Sequence, residues 1–352
     1  MRMMTCRTYI ITGMNNSVKK NIKIIVGIPL GLVAVAAAIA IILTVIPLFE
    51  KTDKTSVADS EHWMKRLDND KYISDVVLPG THDSASYRPS LPFFSKCQDF
   101  DIAEQLEKGF RYLDIRLEAV DGGLRLVHGM TVCRNGLMPW SGDLMLDTVL
   151  DQCYAFLEEN PTEFIIFAVK QDHGDASISD FQTLLRSYID ANPRRWLLVD
   201  NLPTVGQARG RLVLMRRYSD AMQYGNRSGI SYIWKEQDNR DDTELAIDSI
   251  RNGPYLLNVQ DRFKYDNEDK WNAFVKGIKA AHQSKDRRML YVNFLSTNGD
   301  LAFGHPYLHA KKLNERLLSE EYGGLDGWVI TDFGTAPIAE KIYMENFKPA
   351  SE

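Results

Sequence analysis

The sequence predicts an α/β protein, an irregular (β/α)8 barrel of the TIM type, preceded by one transmembrane helix. Two observations indicate the barrel: short apolar runs rich in β-branched residues recur eight times, and helix-like amphipathic stretches separate most of them. A third indicates the helix, because an uncharged apolar segment follows several lysines near the amino terminus. The length of 352 residues leaves room after this segment for one large barrel or two modest domains, and 44% hydrophobic residues predict a packed core.

The amino-terminal region predicts membrane attachment. Residues 1–23 are a short basic segment, and residues 24–49 carry no charge. A helix of that length would measure about 39 Å, more than a ~30 Å hydrocarbon core. We therefore expect an anchor, or an uncleaved signal, in the cell membrane, with the lysines cytoplasmic and the large domain extracellular. Cleavage of the segment would instead give a secreted protein. Residues 50–67 are expected to be a polar tether, and residues 68–347 the barrel.

Eight apolar runs, each bounded by polar or turn-forming residues, are predicted as the barrel strands. In chain order they are Asp75–Leu78, Arg111–Leu117, Leu124–Val127, Phe164–Val169, Leu212–Met215, Tyr255–Val259, Met289–Phe294 and Trp328–Thr331. Helices are predicted at Leu144–Asn160, Ser179–Asn192 and Lys270–Ser284. The link between the second and third strands is too short for a crossover, so we expect a hairpin there and an irregular barrel.

Ionisable residues follow most of these strands. At the carboxyl ends stand His82 and Asp83, Asp114 and Arg116, His128, Lys170, Arg217, Asp261 and Asp332. One charge at a strand end can simply meet water, but a whole rim of them is expensive to bury unpaired. Because that rim carries the active site in barrel enzymes, we predict a site there.

Barrel closure suggests how this site would work. The last strand must neighbour the first, so Asp332 is expected beside His82, where a carboxylate would orient the imidazole as a general base. His128 would stand across the mouth as the acid, and Arg116 offers a fork suited to a phosphate. This combination predicts phosphoryl transfer without a metal. A formal net charge of -5, with no basic run in the barrel region, argues against a nucleic-acid partner.

Eight segments in register resemble the bacterial phosphatidylinositol-specific phospholipases C, the X-domain barrel family. They run from about Tyr72 to Phe333 and read "LPGTHDSAS", "GFRYLDIRLE", "LVHG", "FIIFAVKQ", "LVLMRRYSD", "NVQDRF", "LYVNFLS" and "GWVITDFG". The resemblance implies a distorted barrel and a lyase reaction on phosphatidylinositol, or on a glycosylated anchor, in a bilayer. In that reaction the inositol 2-hydroxyl attacks phosphorus, and diacylglycerol and inositol 1,2-cyclic phosphate are formed.

The resemblance also implies a role for each matching residue. His82 is the general base with Asp332 as its partner, and His128 is the general acid assisted by Asp83. Arg116 steadies the phosphate. Substrate-binding positions are Asp114, Lys170, Arg217, Asp261 and Phe263.

Two sequence differences between this chain and members of the family bear on these roles. The family usually has a tyrosine where this chain has Phe263, so stacking on the sugar ring remains but a hydroxyl contact is lost. Calcium-dependent relatives carry a carboxylate where this chain has Arg116, so we expect no metal and no other cofactor. Trp234 lies near the place of a pocket-edge tryptophan in the family.

Access to a lipid requires contact with a membrane surface, and two rim segments resemble the family's membrane-contacting ones through Phe93, Phe94 and Phe303. No obligate protein partner is evident. Two other functions remain open: a glycerophosphodiester phosphodiesterase on the same fold, which would use metal-binding carboxylates, and a catalytically idle lipid-binding barrel. A purely structural membrane protein is disfavoured by the charged rim.

Overall fold

The computed structural model describes residues 31–41, 53–138, 140–239, 248–284, 288–299, 305–320 and 323–349. The chain divides into two compact units, Met1–Phe49 and Glu50–Glu352. In the first unit, residues 31–41 form helix α1, whose side chains are exposed.

The predicted membrane anchor is not supported. Its residues 24–30 and 42–49 lie outside the described part of the chain, and the described residues 31–41 of α1 span about 17 Å at 1.5 Å per residue. Among the residues that the structure describes, every helix is too short or too polar to cross a bilayer. This finding contradicts the predicted single-pass localisation in the cell membrane.

In the described part of the second unit, the strands form one curled, mostly parallel sheet. They are β1 (Leu78–Thr81), β2 (Tyr112–Val120), β3 (Gly123–His128), β4 (Thr131–Val132), β5 (Ile165–Gln171), β6 (Trp196–Leu197), β7 (Leu212–Arg216), β8 (Ile230–Ser231), β9 (Asp248–Asn252), β10 (Tyr255–Gln260), β11 (Met289–Phe294) and β12 (Trp328–Thr331). Their order is β6-β7-β5-β2-β1-β12-β11-β10-β9, with β3, β4 and β8 paired beside this path.

Helices connect the strands and cover the sheet. They are α2 (Pro92–Ser95), α3 (Ile102–Glu107), α4 (Leu146–Glu159), α5 (Ile178–Ala191), α6 (Val205–Ala208), α7 (Asn267–Gln283), α8 (Pro306–Ser319) and α9 (Ala336–Tyr343). The long helices α4, α5 and α7 each bury one apolar face, as their sequence periodicity predicts.

The predicted α/β barrel architecture is confirmed. β12 pairs in parallel with β1, so the last strand does lie beside the first, with Thr331 opposite Thr81. β2, β5 and β7 extend the parallel sheet on one side, and β11 and β10 extend it on the other. The carboxyl ends of these strands therefore meet along one rim.

The barrel is distorted in two places. As predicted, β3 forms an antiparallel hairpin with β2, while β5 pairs directly with β2, so β3 stands outside the ring of parallel strands. The second distortion was not predicted: β9 pairs antiparallel with β10 at the far edge of the sheet. Within the described ranges no ladder joins β9 or β10 to β7 or β8.

The first strand begins later than predicted. Residues Ile73–Asp75 form a 3-10 turn, and the strand comprises Leu78–Thr81, including Pro79 and Gly80. Glycine is needed here because a Cβ at position 80 would lie 2.5 Å from the Ile330 side chain and 2.7 Å from that of Tyr112. The strand therefore delivers His82 directly to the rim.

The folded unit also begins within the predicted tether. Trp63 is buried, stacks on Tyr343 with ring centroids 5.0 Å apart, and donates to the Gly109 carbonyl. The buried Arg111 guanidinium donates to the Glu61 carbonyl at 2.8 Å and pairs with Glu163 at 3.0 Å. These contacts hold residues from about position 60 onward against the end of the barrel opposite the rim.

Candidate active site

A cleft of about 300 Å³ opens at the carboxyl ends of the parallel strands. Most of the predicted site residues line it: His82, Arg116, His128, Lys170, Arg217, Asp261, Phe263 and Asp332. Asp83 and Asp114 are buried and are not part of this lining. The structure thus places Asp114 beneath the cleft, where the sequence had suggested a direct substrate contact.

Strand alternation explains why β2 supplies charged groups to the site. Successive side chains of a strand point to opposite faces, so Tyr112, Asp114 and Arg116 share one face. The intervening Leu113 and Ile115 are buried in the cluster beneath the outer helices. The "YLDIR" pattern therefore directs a carboxylate and a guanidinium into the barrel while the strand still packs an apolar outer face.

His82 is held at both ring nitrogens. Its Nδ1 lies 2.8 Å from Asp332 Oδ1, and its Nε2 lies 2.8 Å from Nη2 of Arg116. A guanidinium only donates, so Nε2 accepts and the proton of the neutral ring is on Nδ1, donated to Asp332. The predicted contact between the first and last strands is therefore present.

Two opposing effects act on the protonation of His82. Burial lowers the pKa of its imidazole, but the negative charge of Asp332 and its hydrogen bond outweigh this, and the pKa is raised above the usual value. The Arg116 guanidinium acts in the lowering direction. The result is an imidazole that is a stronger base than an ordinary histidine.

His128 stands across the cleft from His82, with the two ring centroids 6.3 Å apart and the ring planes nearly perpendicular. Its Nδ1 lies 2.9 Å from the carbonyl oxygen of Ser95 and 3.2 Å from Asp83 Oδ2. Both neighbours are acceptors, so Nδ1 carries a proton and a proton to be delivered elsewhere belongs on Nε2. Cys97 Sγ lies 3.7 Å from the same nitrogen.

Asp83 links the two halves of the site through a strained backbone. Its φ of 46° lies in the left-handed region that non-glycine residues rarely adopt. In this conformation its amide N–H donates to Asp114, and its carboxylate contacts both His128 and Arg116. The unusual backbone conformation thus places the Asp83 carboxylate between the His128 imidazole and the Arg116 guanidinium.

Arg116 is surrounded by carboxylates. Nε and Nη2 donate to Asp114 Oδ2 at 3.2 and 3.1 Å, and Nη1 lies 3.3 Å from Asp83 and 3.7 Å from Asp172. Burial by itself would raise the pKa of Asp114, but Arg116 and Arg217 hold it at about 2. The guanidinium therefore keeps its charge and its position.

Asp172 was missed by the sequence reasoning. It follows the end of β5, two residues after Lys170, and accepts from Lys170 Nζ at 2.7 Å and from the Gly129 amide at 2.8 Å. Because Gly129 follows His128, Asp172 connects the hairpin that carries His128 to Arg116. The signal available in the sequence was the "VKQD" segment, in which Asp172 stands two positions after Lys170 and therefore on the same face of the strand.

The far end of the cleft carries the predicted sugar-binding groups. The Arg217 guanidinium lies over the Trp234 ring at 3.8 Å from its centroid, and the indole N–H donates to Asp261 at 3.1 Å. The Asp261 carboxylate is thus held beside Arg217, 4.0 Å from Nη2. Phe263 also lines the cleft.

The predicted membrane-contacting phenylalanines are placed differently from one another. Phe93 and Phe94 are half-buried in α2, with ring centroids 5.0 Å apart, and Phe93 also packs on His305 at 4.6 Å. Phe94 lines the cleft itself. Phe303 lies outside the described residues.

One group of side chains within the described ranges has the spacing of a metal site: His82, Asp83 and Cys97 offer ligand atoms within 4.8 Å of one another. Arg116, however, contacts both His82 and Asp83. Its guanidinium already places a positive charge where a cation would bind, so the donor set is poorly suited to a divalent metal.

Known proteins resemble this chain in sequence. The PI-PLC X family model matches residues 68–250. A 1-phosphatidylinositol phosphodiesterase of Staphylococcus aureus (strain Newman) is 30% identical over 292 residues, covering 78% of this chain and 88% of that protein. The enzyme of the same name from Listeria monocytogenes is 26% identical and covers 85% of this chain and 88% of that protein.

Solved structures agree. A structure of the phosphatidylinositol-specific phospholipase C of S. aureus superposes with a TM-score of 0.67 at 27% identity, covering 81% of this chain and 97% of that one. The L. monocytogenes enzyme, at 21% identity and a TM-score of 0.62, shares the fold. With the matching family model and the charged rim described above, these likenesses establish that the chain belongs to the bacterial phosphatidylinositol-specific phospholipase C family, with its X-type barrel.

Proposed function

We propose that this chain is a phosphatidylinositol-specific phospholipase C that works by metal-independent general base and acid catalysis. The observation that carries the proposal is the convergence of two imidazoles, 6.3 Å apart, on either side of a guanidinium that contacts one of them directly. The relatives' name, 1-phosphatidylinositol phosphodiesterase, supports the same substrate.

The first step is removal of a proton from the inositol 2-hydroxyl. His82 Nε2 takes this proton, and Asp332 stabilises the imidazolium that forms through the bond at Nδ1. The 2-oxygen then forms a bond to phosphorus. Because this nucleophile belongs to the same molecule as the phosphate, proximity alone can supply up to ~7–11 kcal/mol of the barrier.

The second requirement is a proton for the leaving group. As the bond between phosphorus and the diacylglycerol oxygen breaks, His128 donates its Nε2 proton to that oxygen, while Ser95 and Asp83 hold Nδ1. Diacylglycerol leaves as a neutral alcohol, and inositol 1,2-cyclic phosphate remains. His82 has gained one proton and His128 has lost one, so the pair is ready for water to open the cyclic phosphate in reverse roles.

Arg116 supplies the positive charge. Its Nη2 approaches a phosphate oxygen when the 2-hydroxyl takes the place at His82 Nε2, and a planar fork suits two oxygens at once. Three carboxylates keep the guanidinium in place before the reaction, which is the preorganisation that electrostatic catalysis needs. No divalent cation is required for this role.

The inositol ring is recognised at the far end of the cleft. Lys170 and Arg217 donate to ring hydroxyls, Asp261 accepts from them, and Phe263 covers one face of the ring. Asp114 acts one layer below, by holding Arg116 and Arg217. The bilayer surface is the physical partner, because the substrate is embedded there.

The reaction product tests this proposal. Purified protein is incubated with phosphatidylinositol vesicles and the mixture is followed by phosphorus NMR, with the His82→Ala variant as control. We expect the resonance of a five-membered cyclic phosphate to appear with the wild type only. A phosphomonoester formed with no cyclic intermediate would favour the phosphodiesterase alternative, and absence of turnover would favour the idle lipid-binding barrel.

A further inference from the structure

Large apolar side chains are exposed around a segment that the catalytic proposal does not use. In the described residues, the turn after β3 and the loop after β4 contain Met130 (85% exposed), Leu137 (62%), Met138 (52%) and Trp140 (80%), and Leu91 (51%) precedes α2. Exposed side chains of this size in one region mark an interaction surface more often than isolated ones do.

Backbone pairing brings these residues to one side of the cleft. His128 pairs with Thr131, so Met130 lies in the turn beside the cleft-lining Gly129. Ser90 donates to the Val132 carbonyl at 2.8 Å, which places Leu91 alongside the same turn. The β4 segment then leads away from the cleft to Leu137, Met138 and Trp140, which we call the apolar loop.

The apolar loop extends from the rim. β2 continues past Arg116 to Val120, and β3 returns alongside it, so this hairpin projects beyond the carboxyl ends of the other strands. The backbone of Arg125 in β3 forms an antiparallel β-bridge with Met145, and its guanidinium forms an ion pair with the Asp143 carboxylate at 2.9 Å. The base of the apolar loop is therefore attached to the projecting hairpin.

Hydrogen bonds hold the loop in shape. The Asn135 amide donates to the Gly142 carbonyl at 3.1 Å, and the Ser141 amide donates to the Met138 carbonyl at 3.0 Å. Arg88 Nη1 donates to the Asn135 carbonyl at 2.8 Å. These hydrogen bonds flank the exposed side chains and limit the conformations of the loop base, which lowers the entropy lost on binding.

Charge favours one kind of partner. Residues 84–98 and 129–142 contain no Asp or Glu, although the whole chain has a net charge of -5. Arg88 and Arg134 lie at the base of the apolar loop, where their backbones pair at 3.0 Å. Two acid-free segments with a tryptophan, long apolar side chains and flanking arginines match the interface of an anionic bilayer, and Asp143 at the base of the loop is paired with Arg125.

We propose that Leu137, Met138 and Trp140 insert into the bilayer interface and, with Met130 and Leu91 nearer the cleft, hold the cleft mouth on the membrane. This inference rests on the proposed function, since a bilayer substrate must reach the same rim. It adds the apolar loop to the membrane contact that the resemblance implies for Phe93 and Phe94, which are half-buried in α2.

Trp140 provides a direct probe. Four of the other five tryptophans are buried and Trp234 is half-buried, so Trp140 is the strongly exposed one. On addition of phosphatidylcholine–phosphatidylglycerol vesicles, which are not substrates, we expect a blue shift of tryptophan emission and quenching by brominated acyl chains. Trp140→Phe should remove both signals while retaining most of the vesicle binding.

A triple variant tests the function of the loop. Leu137→Ser/Met138→Ser/Trp140→Ser should bind those vesicles at least about tenfold more weakly. Its turnover of phosphatidylinositol in vesicles should fall in parallel, and its turnover of monomeric short-chain phosphatidylinositol should equal that of the wild type. Leu318→Ser, at the carboxyl end of α8, is the matched control and should leave both unchanged.

The outcomes separate the two proposals. If the triple variant binds vesicles as well as the wild type does, the membrane assignment is wrong. It is also wrong if the wild type is a dimer and the triple variant is a monomer that still binds vesicles equally well. If the wild type turns over neither vesicle nor monomeric substrate, the proposed function fails, and vesicle binding still decides whether the apolar loop contacts lipid.

Discussion

Nη2 of Arg116 donates to Nε2 of His82 across 2.8 Å, so the two groups that would handle the nucleophile and the phosphate are in direct contact. The hydrogen bond requires an unprotonated Nε2, which is the form that a general base needs. A substrate oxygen that replaces this contact remains within reach of the guanidinium. Base and phosphate clamp are therefore preorganised as one unit.

Asp332→Asn should change both the rate and its pH dependence. The base must be unprotonated, so kcat/KM should fall as pH drops through the raised pKa of His82. Asn can still accept from Nδ1 but carries no charge, so the pKa of His82 falls and the acid limb moves to lower pH. We also expect about a hundredfold loss at the plateau. Asp326→Asn is the control, and an unmoved acid limb would contradict the role of Asp332.

His128→Ala should lose about 10²–10⁴-fold in turnover of phosphatidylinositol, because the diacylglycerol oxygen leaves poorly without a proton. A nitrophenyl ester of inositol phosphate has a leaving group that needs no proton, so the loss there should be much smaller. His82→Ala should be impaired on both substrates. Equal losses of His128→Ala on the two substrates would exclude it as the acid.

Excess chelator should leave wild-type turnover unchanged, since Arg116 supplies the positive charge. Arg116→Lys keeps one charge but cannot present a planar fork, and we expect about a 10²–10³-fold loss of kcat. Vesicle assays of the wild type with chelator, with and without added calcium, measure the first effect, and a comparison of kcat between the wild type and Arg116→Lys measures the second. Loss of wild-type activity in chelator, restored by calcium, would show that a metal is needed.

Asp172→Asn should loosen Arg116 and the hairpin that carries His128, because Asn cannot replace the charged contacts to Lys170 and Arg116. Small displacements of reacting groups are costly, so kcat should fall between about tenfold and a hundredfold. The midpoint of thermal unfolding should change little. The exposed Asp175→Asn serves as control, and an unchanged kcat in Asp172→Asn would remove its positioning role.

Lys270 predicts a pH dependence of stability. Burial lowers the pKa of this fully buried amine to about 7, although it donates to Gln260 at 2.9 Å and to the Arg262 carbonyl at 3.2 Å. Above pH 7 the unfolded chain therefore binds a proton that the native state does not. The unfolding free energy of the wild type should rise relative to Lys270→Met by up to ~1.4 kcal/mol per pH unit from pH 7 to 9. Denaturant titrations of both proteins measure the difference, and parallel pH profiles would contradict it.

The sequence alone determined most of the strand positions and the chemistry of the rim. β11 and β12 were predicted with their observed bounds, because runs of apolar residues report local burial directly. The contact between His82 and Asp332, 250 positions apart in sequence, followed from the rule that the last barrel strand neighbours the first. These features depend on local patterns and on one topological rule.

The tertiary structure decided what depends on distant neighbours. In β1, Gly80 is required because Ile330 and Tyr112 pack against it, and Asp172 belongs to the site because β5 lies beside β2. Likewise, Phe93 is half-buried and Trp140 exposed only because of how α2 and the apolar loop pack on the rim. Residue type determines what a side chain can do, but burial and partners come from non-local packing, and composition does not encode that packing position by position.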